Sequence, residues 1–307
     1  MSYKKVLITG ASGQDGRILS TLLIGKKIKV IACIKKLKFE KIKGIIYEKM
    51  DLSNKKQISK IIKKYNPSVV IHLASKNPSF INKKKDNSFF EYNYRITKNL
   101  IDTILDSKKN IYFIFPNSSQ IFLKKYKNKY NENDEFYPNN DYSKFRLNVL
   151  EYLKSIRGNN NFKYTNLILF NHDSVFRGKK FLLPRIISAI KSGNEAFINK
   201  IYRENIIQDF SHAEDICHAI YLLIKKNVYI QNLILSSSKK TNVNMIIKYL
   251  LKKYSKKITI KVKPKPNKNF IVGDNKLAKK LLNWKILKNI FIAADEIYNK
   301  PLNHKIY

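Results

Sequence analysis

Over the first 170 residues, short apolar runs alternate with longer segments in which apolar residues recur about every three to four positions. The short runs predict β-strands, and the longer segments predict amphipathic helices. The predicted strands are 5–9, 28–34, 68–74, 111–115 and 165–170, and the predicted helices lie near 15–25, 54–65, 90–107 and 142–157. Continuously apolar strands separated by helices are typical of a sheet covered on both faces. The pattern therefore predicts an α/β fold with a doubly wound parallel sheet.

Beyond residue 175 the pattern loosens into short strands and helices with basic and proline-containing turns, such as KPKPN at 263–267. The 307 residues, 44% of them apolar, can bury a sizeable core in one large domain or two closely joined ones. No apolar run approaches the ~20 residues that span a bilayer. The N-terminus enters a strand without a signal-peptide pattern. We therefore expect a cytoplasmic protein with no membrane partner.

The formal charge of +39 would ordinarily indicate a polyanionic partner. Its distribution argues against one, because the lysines are spread along the whole chain and only seven of the 61 basic residues are arginine. Solvated helix faces are the favoured explanation, followed by attraction of anionic substrates. Nucleic acid comes third, since the chain contains no RNA- or DNA-binding motif. We expect no nucleic-acid partner.

The segment ITGASGQDGRIL follows the first predicted strand and opens the first predicted helix. Gly10 permits the tight turn, Gly13 lets a pyrophosphate approach the backbone, and Gly16 lets the helix pack on the strand. Gln14 and Asp15 lie at the helix N-terminus, where free N–H groups and the positive end of the helix dipole attract phosphates. This arrangement predicts a Rossmann-type fold that binds a dinucleotide through these five residues.

The end of the second predicted strand decides between NAD and NADP, because an acidic residue there binds the 2′-hydroxyl of NAD. This chain has Lys35 and Lys36 instead, and cations suit the 2′-phosphate of NADP. NADP is therefore favoured over NAD, with chance as the competing explanation in so lysine-rich a chain. Asp51, in KMDLS, follows a presumed further strand between 28–34 and the helix near 54–65, and either contacts adenine or caps that helix. The predicted cofactor site also includes Leu52, Leu73 and Ala74.

Four segments together resemble the extended short-chain dehydrogenase/reductase family, and most closely its GDP-mannose 4,6-dehydratase branch. TGASGQDG resembles the glycine loop of the branch, and LILFNHDSVFRGKKF (167–181) resembles its substrate-binding strand and loop. QDFSHAEDI (208–216) and KPNKNFIVGDNKLAKKLLNWK (265–285) resemble a later turn into a helix and the C-terminal segment. The resemblance implies an NADP-binding domain at 1–165 and a smaller nucleotide-sugar-binding lobe at 166–307, interleaved with the first. It also implies a homo-oligomer, either a dimer or a tetramer.

In such enzymes a tyrosine phenolate takes the proton of the hexose hydroxyl at carbon 4 while hydride leaves that carbon for the nicotinamide. The resemblance assigns this role to Tyr142, in DYSKFR, and the hydrogen-bonding hydroxyl to Ser118, with Ser119 as its rival. Where the family has lysine, four residues after the tyrosine, this chain has Arg146, on the same helix face. Its charge stabilises a phenolate. Its longer, planar guanidinium differs from an ammonium in its reach to the nicotinamide ribose, so we expect hydride transfer to be less efficient than in a lysine enzyme.

A second departure concerns the elimination of water. The 4,6-dehydratases carry a glutamate two positions after the catalytic hydroxyl, and it removes the proton at carbon 5. This chain has Gln120 there, and an amide cannot act as a general base. Gln120 favours a 4-keto-sugar reductase or 4-epimerase, whereas the overall resemblance favours a true 4,6-dehydratase. The paired departures at 120 and 146 leave a third alternative, a protein that binds NADP or a nucleotide sugar without catalysis.

The resemblance also implies a nucleoside diphosphate hexose as the substrate. Asn171, in FNHDS, resembles the asparagine that meets the sugar diphosphate, and Arg177 and Lys179 lie in the loop expected to close over the nucleotide. Arg203 and Lys265 are further candidates for binding phosphate, and Lys265 stands where the branch has an arginine. Surface charge is the alternative explanation for each of these cations.

The remaining residues of metal-binding type are expected to be structural, and we predict no metal site. The histidines lie at strand ends or a helix start without metal-ligand spacing: His72, His172, His212 and His218. Cys33 and Cys217 sit in apolar segments, which predicts buried free thiols.

Overall fold

The computed structural model describes residues 4–35, 41–76, 88–122, 129–156, 162–267 and 270–300. Lys36 therefore lies outside the described residues. The strands are β1 Lys5–Thr9, β2 Lys29–Ile34, β3 Ile46–Lys49, β4 Val69–His72, β5 Tyr112–Ser118, β6 Tyr164–Leu169, β7 Asn171–Asp173, β8 Ile207–Gln208, β9 Phe210–His212, β10 Asn232–Leu235 and β11 Thr241–Asn242. Seven of them form one parallel sheet in the order β10-β6-β5-β4-β1-β2-β3. The predicted doubly wound parallel sheet is confirmed.

The helices are α1 Gln14–Gly25, α2 Lys55–Tyr65, α3 Ser88–Asp106, α4 Asp141–Ile156, α5 Leu182–Lys191, α6 Glu195–Glu204, α7 Ala213–Lys225, α8 Val243–Lys253, α9 Lys276–Leu282 and α10 Ile290–Asn299. Alternate residues of β1 serve two apolar layers. Val6 and Ile8 pack in the layer of α1, α7 and α9, and Leu7 packs in the layer of α2, α3 and α4. The strand is therefore apolar throughout, because both of its faces are buried. None of the described helices is long and apolar enough to cross a membrane.

A third apolar cluster joins α5, α6, α8 and α10 beside the sheet. The chain returns from this region to the sheet, since α7 packs on α1 and β10 pairs with β6. The domain boundary expected at residue 165 falls inside β6, so the sheet and the C-terminal segments share elements. The small parallel pair of β7 with β9 lies where the chain leaves the sheet after β6.

Two details differ from the elements that the apolar pattern predicts. β5 continues past residue 115 to Ser118, because its backbone keeps pairing with β6 as far as Leu169. β10 was not predicted from the sequence. It pairs with β6 across 66 residues of chain, with Asn232 opposite Asn166, and the side-chain amide of Asn166 donates to the side-chain oxygen of Asn232. Both cysteines are buried and free, as predicted.

The topology creates a crevice beside β1. The strand order reverses there, since β1 lies between β4 and β2. Loops at the carboxyl ends of β1 and β4 therefore run to opposite sides and leave an opening between them, which is where ligands bind in open α/β sheets.

A glycine at position 10 is required by contact as well as by conformation. Gly10 has a φ of +68°, and a Cβ there would lie 2.6 Å from the backbone nitrogen of Ala74. Gly193 has a nearly equal φ of +69° with no atom within 4 Å of its Cβ position. We expect Gly193→Ala to lower the free energy of unfolding by about 1 kcal/mol from backbone conformation alone. Gly10→Ala should lower the free energy of unfolding by about 2 kcal/mol more than Gly193→Ala does, because the added methyl overlaps the backbone of Ala74 just after β4.

Urea denaturation of the two variants and the unaltered protein measures this difference. Equal losses of unfolding free energy for Gly10→Ala and Gly193→Ala would show that the approach of β1 to Ala74 is not tight.

Candidate active site

A cavity of about 1100 Å³ opens at the carboxyl ends of β1, β4, β5 and β6. Six of the predicted cofactor residues line it: Gly10, Gly13, Gln14, Asp15, Gly16 and Leu73. All four predicted catalytic residues and two of the predicted substrate residues line it as well: Ser118, Gln120, Tyr142, Arg146, Asn171 and Arg177. The fold therefore gathers into one opening residues that are far apart in sequence.

The glycine loop has the features that a dinucleotide pyrophosphate needs. A Cβ on Gly16 would lie 2.6 Å from the Cα of Ala11, so only glycine allows α1 to start this close to the loop. Gly13 is the N-cap of α1 and offers no side chain to cap it. The first N–H groups of α1 are left for a ligand, and a phosphate is their natural partner. These residues fit a nicotinamide dinucleotide.

Arg146 and Tyr142 are in direct contact on the first two turns of α4. Nη2 of Arg146 donates a hydrogen bond of 3.1 Å to the hydroxyl of Tyr142, and Nη1 donates to the carbonyl of Pro116 at the end of β5. The guanidinium carbon lies 4.9 to 5.3 Å from the ring centres of Phe115, Tyr142 and Phe145. The arginine therefore reaches the tyrosine hydroxyl from the position that the sequence predicts.

The charge of Arg146 is buried without an acidic partner. Only 8% of the residue is exposed, and it forms no ion pair with a carboxylate of the described residues. Burial lowers the pKa of the neighbouring His72 to about 3, and the charge of Arg146 adds to this effect. His72 is thus neutral, with Nδ1 2.8 Å from the hydroxyl of Thr9 and Nε2 3.0 Å from that of Thr97. Arg146 is thus a buried cation in direct contact with the hydroxyl of Tyr142.

The two candidate hydroxyls and Gln120 follow one another at the end of β5. Oγ of Ser118 accepts a hydrogen bond of 3.3 Å from the backbone N–H of Gln120, and Ser118 is half-buried. Ser119 also lines the cavity but is 8% exposed. Gln120 is exposed and lines the cavity.

An ion pair joins the glycine loop to the segment after β6. Nε2 of His172 lies 3.0 Å from Oδ2 of Asp15, and Nδ1 lies 2.7 Å from the carbonyl oxygen of Phe170. Burial alone would lower the pKa of His172, but the charge and hydrogen bond of Asp15, together with the hydrogen bond to the Phe170 carbonyl, raise that pKa. Burial would likewise raise the pKa of Asp15, whereas the charge and hydrogen bond of His172 bring it down to about 2. Both ring nitrogens of His172 face acceptors, which the protonated ring satisfies.

Arg177 and Asn171 are held by neighbours at the cavity wall. Nε of Arg177 lies 2.7 Å from Oδ1 of Asp173, and its guanidinium stacks 3.7 Å from the ring centre of Phe181. The amide of Asn171 donates to Oε1 of Gln208 in β8. Both predicted substrate residues are therefore oriented before any ligand arrives.

Three predicted phosphate-binding cations do not line the cavity. Lys179 is exposed in the loop before α5. Lys265 pairs with Glu204 at 3.1 Å, and its backbone N–H donates to the carbonyl of Arg203, which is exposed at the end of α6. Other basic residues line it instead: Arg17, Lys180 and Arg185. In a chain with 61 basic residues, sequence alone could not separate the two groups, although Arg17 directly follows Gly16.

Of the other predicted cofactor residues that the structure describes, Leu73 lines the cavity. The remaining ones do not line it: Lys35, Asp51, Leu52 and Ala74. Ala74 donates its backbone N–H to Thr9 Oγ1 at 3.2 Å, which places it beside Gly10. Oδ1 of Asp51 accepts from the N–H and the hydroxyl of Ser53, and these bonds come first among the causes that lower the pKa of Asp51. Asn54, and not Asp51, is the N-cap of α2.

A cluster of His212, Glu214 and Glu296 has atoms close enough to hold a metal ion. Lys288 occupies it, with its ammonium 2.7 Å from Glu214 and 3.2 Å from Glu296. His212 caps α7 by accepting from the N–H of Glu214 at 3.2 Å. The cluster therefore has a structural role, because these contacts join α7 to α10.

Comparison with known proteins agrees with this geometry. The family model "GDP-mannose 4,6 dehydratase" matches residues 7–290. The GDP-mannose 4,6 dehydratase of Dictyostelium discoideum is 22% identical over 345 residues, covering 98% of this chain and 96% of that protein. The GDP-6-deoxy-D-talose 4-dehydrogenase of Aggregatibacter actinomycetemcomitans is 25% identical over 226 residues, covering 72% of this chain and 70% of that protein.

The fold is also that of solved nucleotide-sugar enzymes. A UDP-glucose-4-epimerase from Stenotrophomonas maltophila, solved with bound NAD and formylated UDP-arabinopyranose, superposes with a TM-score of 0.83 at 14% identity, covering 96% of this chain and 97% of that one. Because the family model spans most of the sequence and its motifs meet in one cavity, the chain belongs to the GDP-mannose 4,6 dehydratase family, within the NAD(P)-dependent nucleotide-sugar enzymes of the extended short-chain dehydrogenase/reductase fold.

Proposed function

We propose that the protein transfers hydride at carbon 4 of a nucleoside diphosphate hexose, as an NADP-dependent 4-keto-sugar reductase or 4-epimerase that does not eliminate water. The observation that carries this proposal is the hydrogen bond of 3.1 Å from buried Arg146 to the hydroxyl of Tyr142, in the same cavity as an amide at Gln120. The pair supplies the acid and base, with its cation, that redox chemistry at a hydroxyl carbon needs. The amide cannot supply the general base that dehydration needs.

Tyr142 is the acid and base of the proposed reaction. As phenolate it accepts the proton of the hydroxyl at carbon 4 when that carbon is oxidised, and as phenol it returns a proton when the carbonyl is reduced. A bound nicotinamide dinucleotide accepts or supplies the hydride. Ser118 positions the same oxygen, and its Oγ lies at the cavity wall already fixed by the N–H of Gln120.

Arg146 stabilises the anionic form of Tyr142. A cation about 4 Å from a phenolate oxygen contributes about 4 kcal/mol at an effective dielectric constant of about 20. Because the guanidinium is buried and lacks a carboxylate partner among the described residues, this attraction is not shared with another anion. Part of the hydrogen-bonding capacity of Arg146 is taken by the carbonyl of Pro116, which fixes its position relative to β5.

Dehydration requires a base at carbon 5, and the carboxylates of the cavity are poorly suited to it. Asp15 is paired with His172 and Asp173 with Arg177. Asp141, beside Tyr142, keeps 55% of its side chain exposed and lies 3.7 Å from the ammonium of Lys144. These ion pairs hold the carboxylates at the cavity wall and occupy oxygens that a base would need for proton transfer.

A true 4,6-dehydratase is the second candidate. It is favoured by the family model and by the name of the Dictyostelium relative, which covers nearly the whole chain. In that case Asp141 is the carboxylate open enough to replace the missing glutamate. The 4-dehydrogenase relative, in contrast, bears a name that describes redox chemistry at carbon 4.

A diphosphate suits the remaining wall of the cavity. Arg17, Lys180 and Arg185 line it together with Arg177, so the opening is basic on the side of α1 and α5. A nucleoside diphosphate group carries the opposite charge, and arginine can bind phosphate in a bidentate manner. The nucleotide sugars named with relatives and solved neighbours support this substrate class.

Substitutions at Tyr142 and Arg146 test the catalytic pair. Tyr142→Phe should lower hydride transfer by at least about 10²-fold, because it removes the proton-transfer group, while cofactor affinity stays close to that of the unaltered protein. Arg146→Lys should retain or raise activity. Arg146→Ala should lose activity and shift its pH profile to higher pH, because the phenolate loses its cation. The measurement is the absorbance of the reduced nicotinamide over a pH series, and an unchanged Arg146→Ala profile would remove this arginine from the mechanism.

A carboxylate at position 120 tests why dehydration is absent. Gln120→Glu should raise formation of a 4-keto-6-deoxy sugar from GDP-mannose by about 10²-fold or more, since a placed base contributes about 10²–10⁴-fold. The matched control is Gln120→Glu combined with Tyr142→Phe, which cannot oxidise carbon 4 and should form none. Mass spectrometry detects the loss of water. Efficient dehydration by the unaltered protein, abolished by Asp141→Asn, would instead establish the second candidate.

A further inference from the structure

Three cations surround the ring of Tyr92 on α3. The ammonium of Lys76 lies 4.1 Å from the ring centre, that of Lys35 lies 5.9 Å from it, and the guanidinium carbon of Arg95 also lies 5.9 Å from it. The three side chains are exposed and the ring is partly buried. We call this group the Tyr92 cluster.

The fold brings the Tyr92 cluster together from three elements. Lys35 directly follows β2, Lys76 follows β4, and Arg95 lies three residues after Tyr92, on the same face of α3. Buried Asn93 fixes the backbone of Lys76, because its Oδ1 accepts from the N–H of Lys76 at 2.9 Å and its Nδ2 donates to the carbonyl at 3.0 Å. The carboxyl ends of parallel strands share one edge of the sheet, so the cluster lies at the same edge as the glycine loop.

The charges of the cluster are not balanced by acidic side chains. None of its three cations forms an ion pair within the described ranges. Asp51 lies near Lys35, and its pKa is lowered first by hydrogen bonds from Ser53 and then also by the charge of Lys35. Glu91 lies four residues before Arg95 on α3, but no ion pair joins it to a cation of the cluster in the described part of the chain. Like charges gathered around one ring repel each other, and an anion bound among them removes that repulsion.

We propose that Lys76 and Arg95, together with Lys35, bind the 2′-phosphate of NADP against the ring of Tyr92. This inference rests on the proposed use of NADP and assigns the selection of that cofactor to residues on α3 and after β4. A phosphate monoester carries a charge of about −1.5 to −2 near pH 7. One lysine shared with Asp51 does not balance that charge, whereas three cations do. NAD lacks the phosphate and gains nothing from Lys76 and Arg95.

Calorimetric titration with NADP and with NAD tests the assignment without requiring turnover. The variant Lys76→Ala/Arg95→Ala should bind NADP about 10- to 100-fold more weakly, since each lost charge-assisted contact is worth about tenfold. Its affinity for NAD should stay within about threefold, a difference of less than 1 kcal/mol. The matched control is Lys26→Ala/Lys163→Ala, which removes two charges that also lie over tyrosine rings, 5.9 Å from Tyr221 and 4.8 Å from Tyr229, away from the cavity.

The control variant should leave both affinities unchanged. Titration with 2′,5′-ADP, 5′-AMP and inorganic phosphate then identifies the group that is bound. Only 2′,5′-ADP should lose affinity in the Lys76→Ala/Arg95→Ala variant. A loss for inorganic phosphate alone would mean a general anion site and would overturn the assignment.

Other outcomes separate this inference from the proposed function. If the unaltered protein binds NAD as tightly as NADP but transfers hydride to a nucleotide sugar, the assignment of the Tyr92 cluster is wrong and the function stands. If NADP is preferred and the double variant loses that preference while no sugar is oxidised or reduced, the assignment stands and the function is wrong. Equal weakening of NADP and NAD in the double variant would also contradict the assignment.

Discussion

The proposed chemistry of this cavity depends on the contact between Arg146 and Tyr142. Arg146 is 8% exposed, and its guanidinium lies among the rings of Phe115, Phe145 and Tyr142. It pairs with no carboxylate of the described part of the chain. Its neighbour His72 is neutral, because burial and that same charge hold its pKa at about 3. This buried cation donates a hydrogen bond to the Tyr142 hydroxyl. In the proposed mechanism, Arg146 therefore takes the place of the family's lysine.

The sheet determines which groups can join that pair. Parallel strands end at one edge, and the reversal of strand order beside β1 opens a crevice there. The ion pair of Asp15 with His172 connects the glycine loop, where a cofactor fits, to the segment after β6, where Asn171 and Arg177 lie. A contact of 3.0 Å thus holds the two segments together at the cavity.

Local patterns in the sequence predict most of the sheet and the centre of the site. Apolar runs mark β1, β2, β4, β5 and β6, and a spacing of four on one helix is enough to place Arg146 beside Tyr142. Contacts between residues far apart in sequence could not be predicted from local patterns. Examples are the pairing of β10 with β6 and the hydrogen bond that holds Lys76 to Asn93 on α3. Charge was a poor guide, because Lys265 is paired with Glu204 while Arg17 lines the cavity. In a chain this rich in lysine, a basic residue carries little information about its position.

The most direct test of the account follows the unaltered protein with NADP and GDP-, CDP-, UDP- and dTDP-hexoses in deuterated water. Mass spectrometry and NMR of the products distinguish a change at carbon 4 from elimination across carbons 5 and 6. The account predicts a 4-keto sugar or a 4-epimer that keeps its hydroxyl at carbon 6. Fast loss of water with deuterium at carbon 5 would contradict it, because a side chain at another position would then supply the base that Gln120 cannot be.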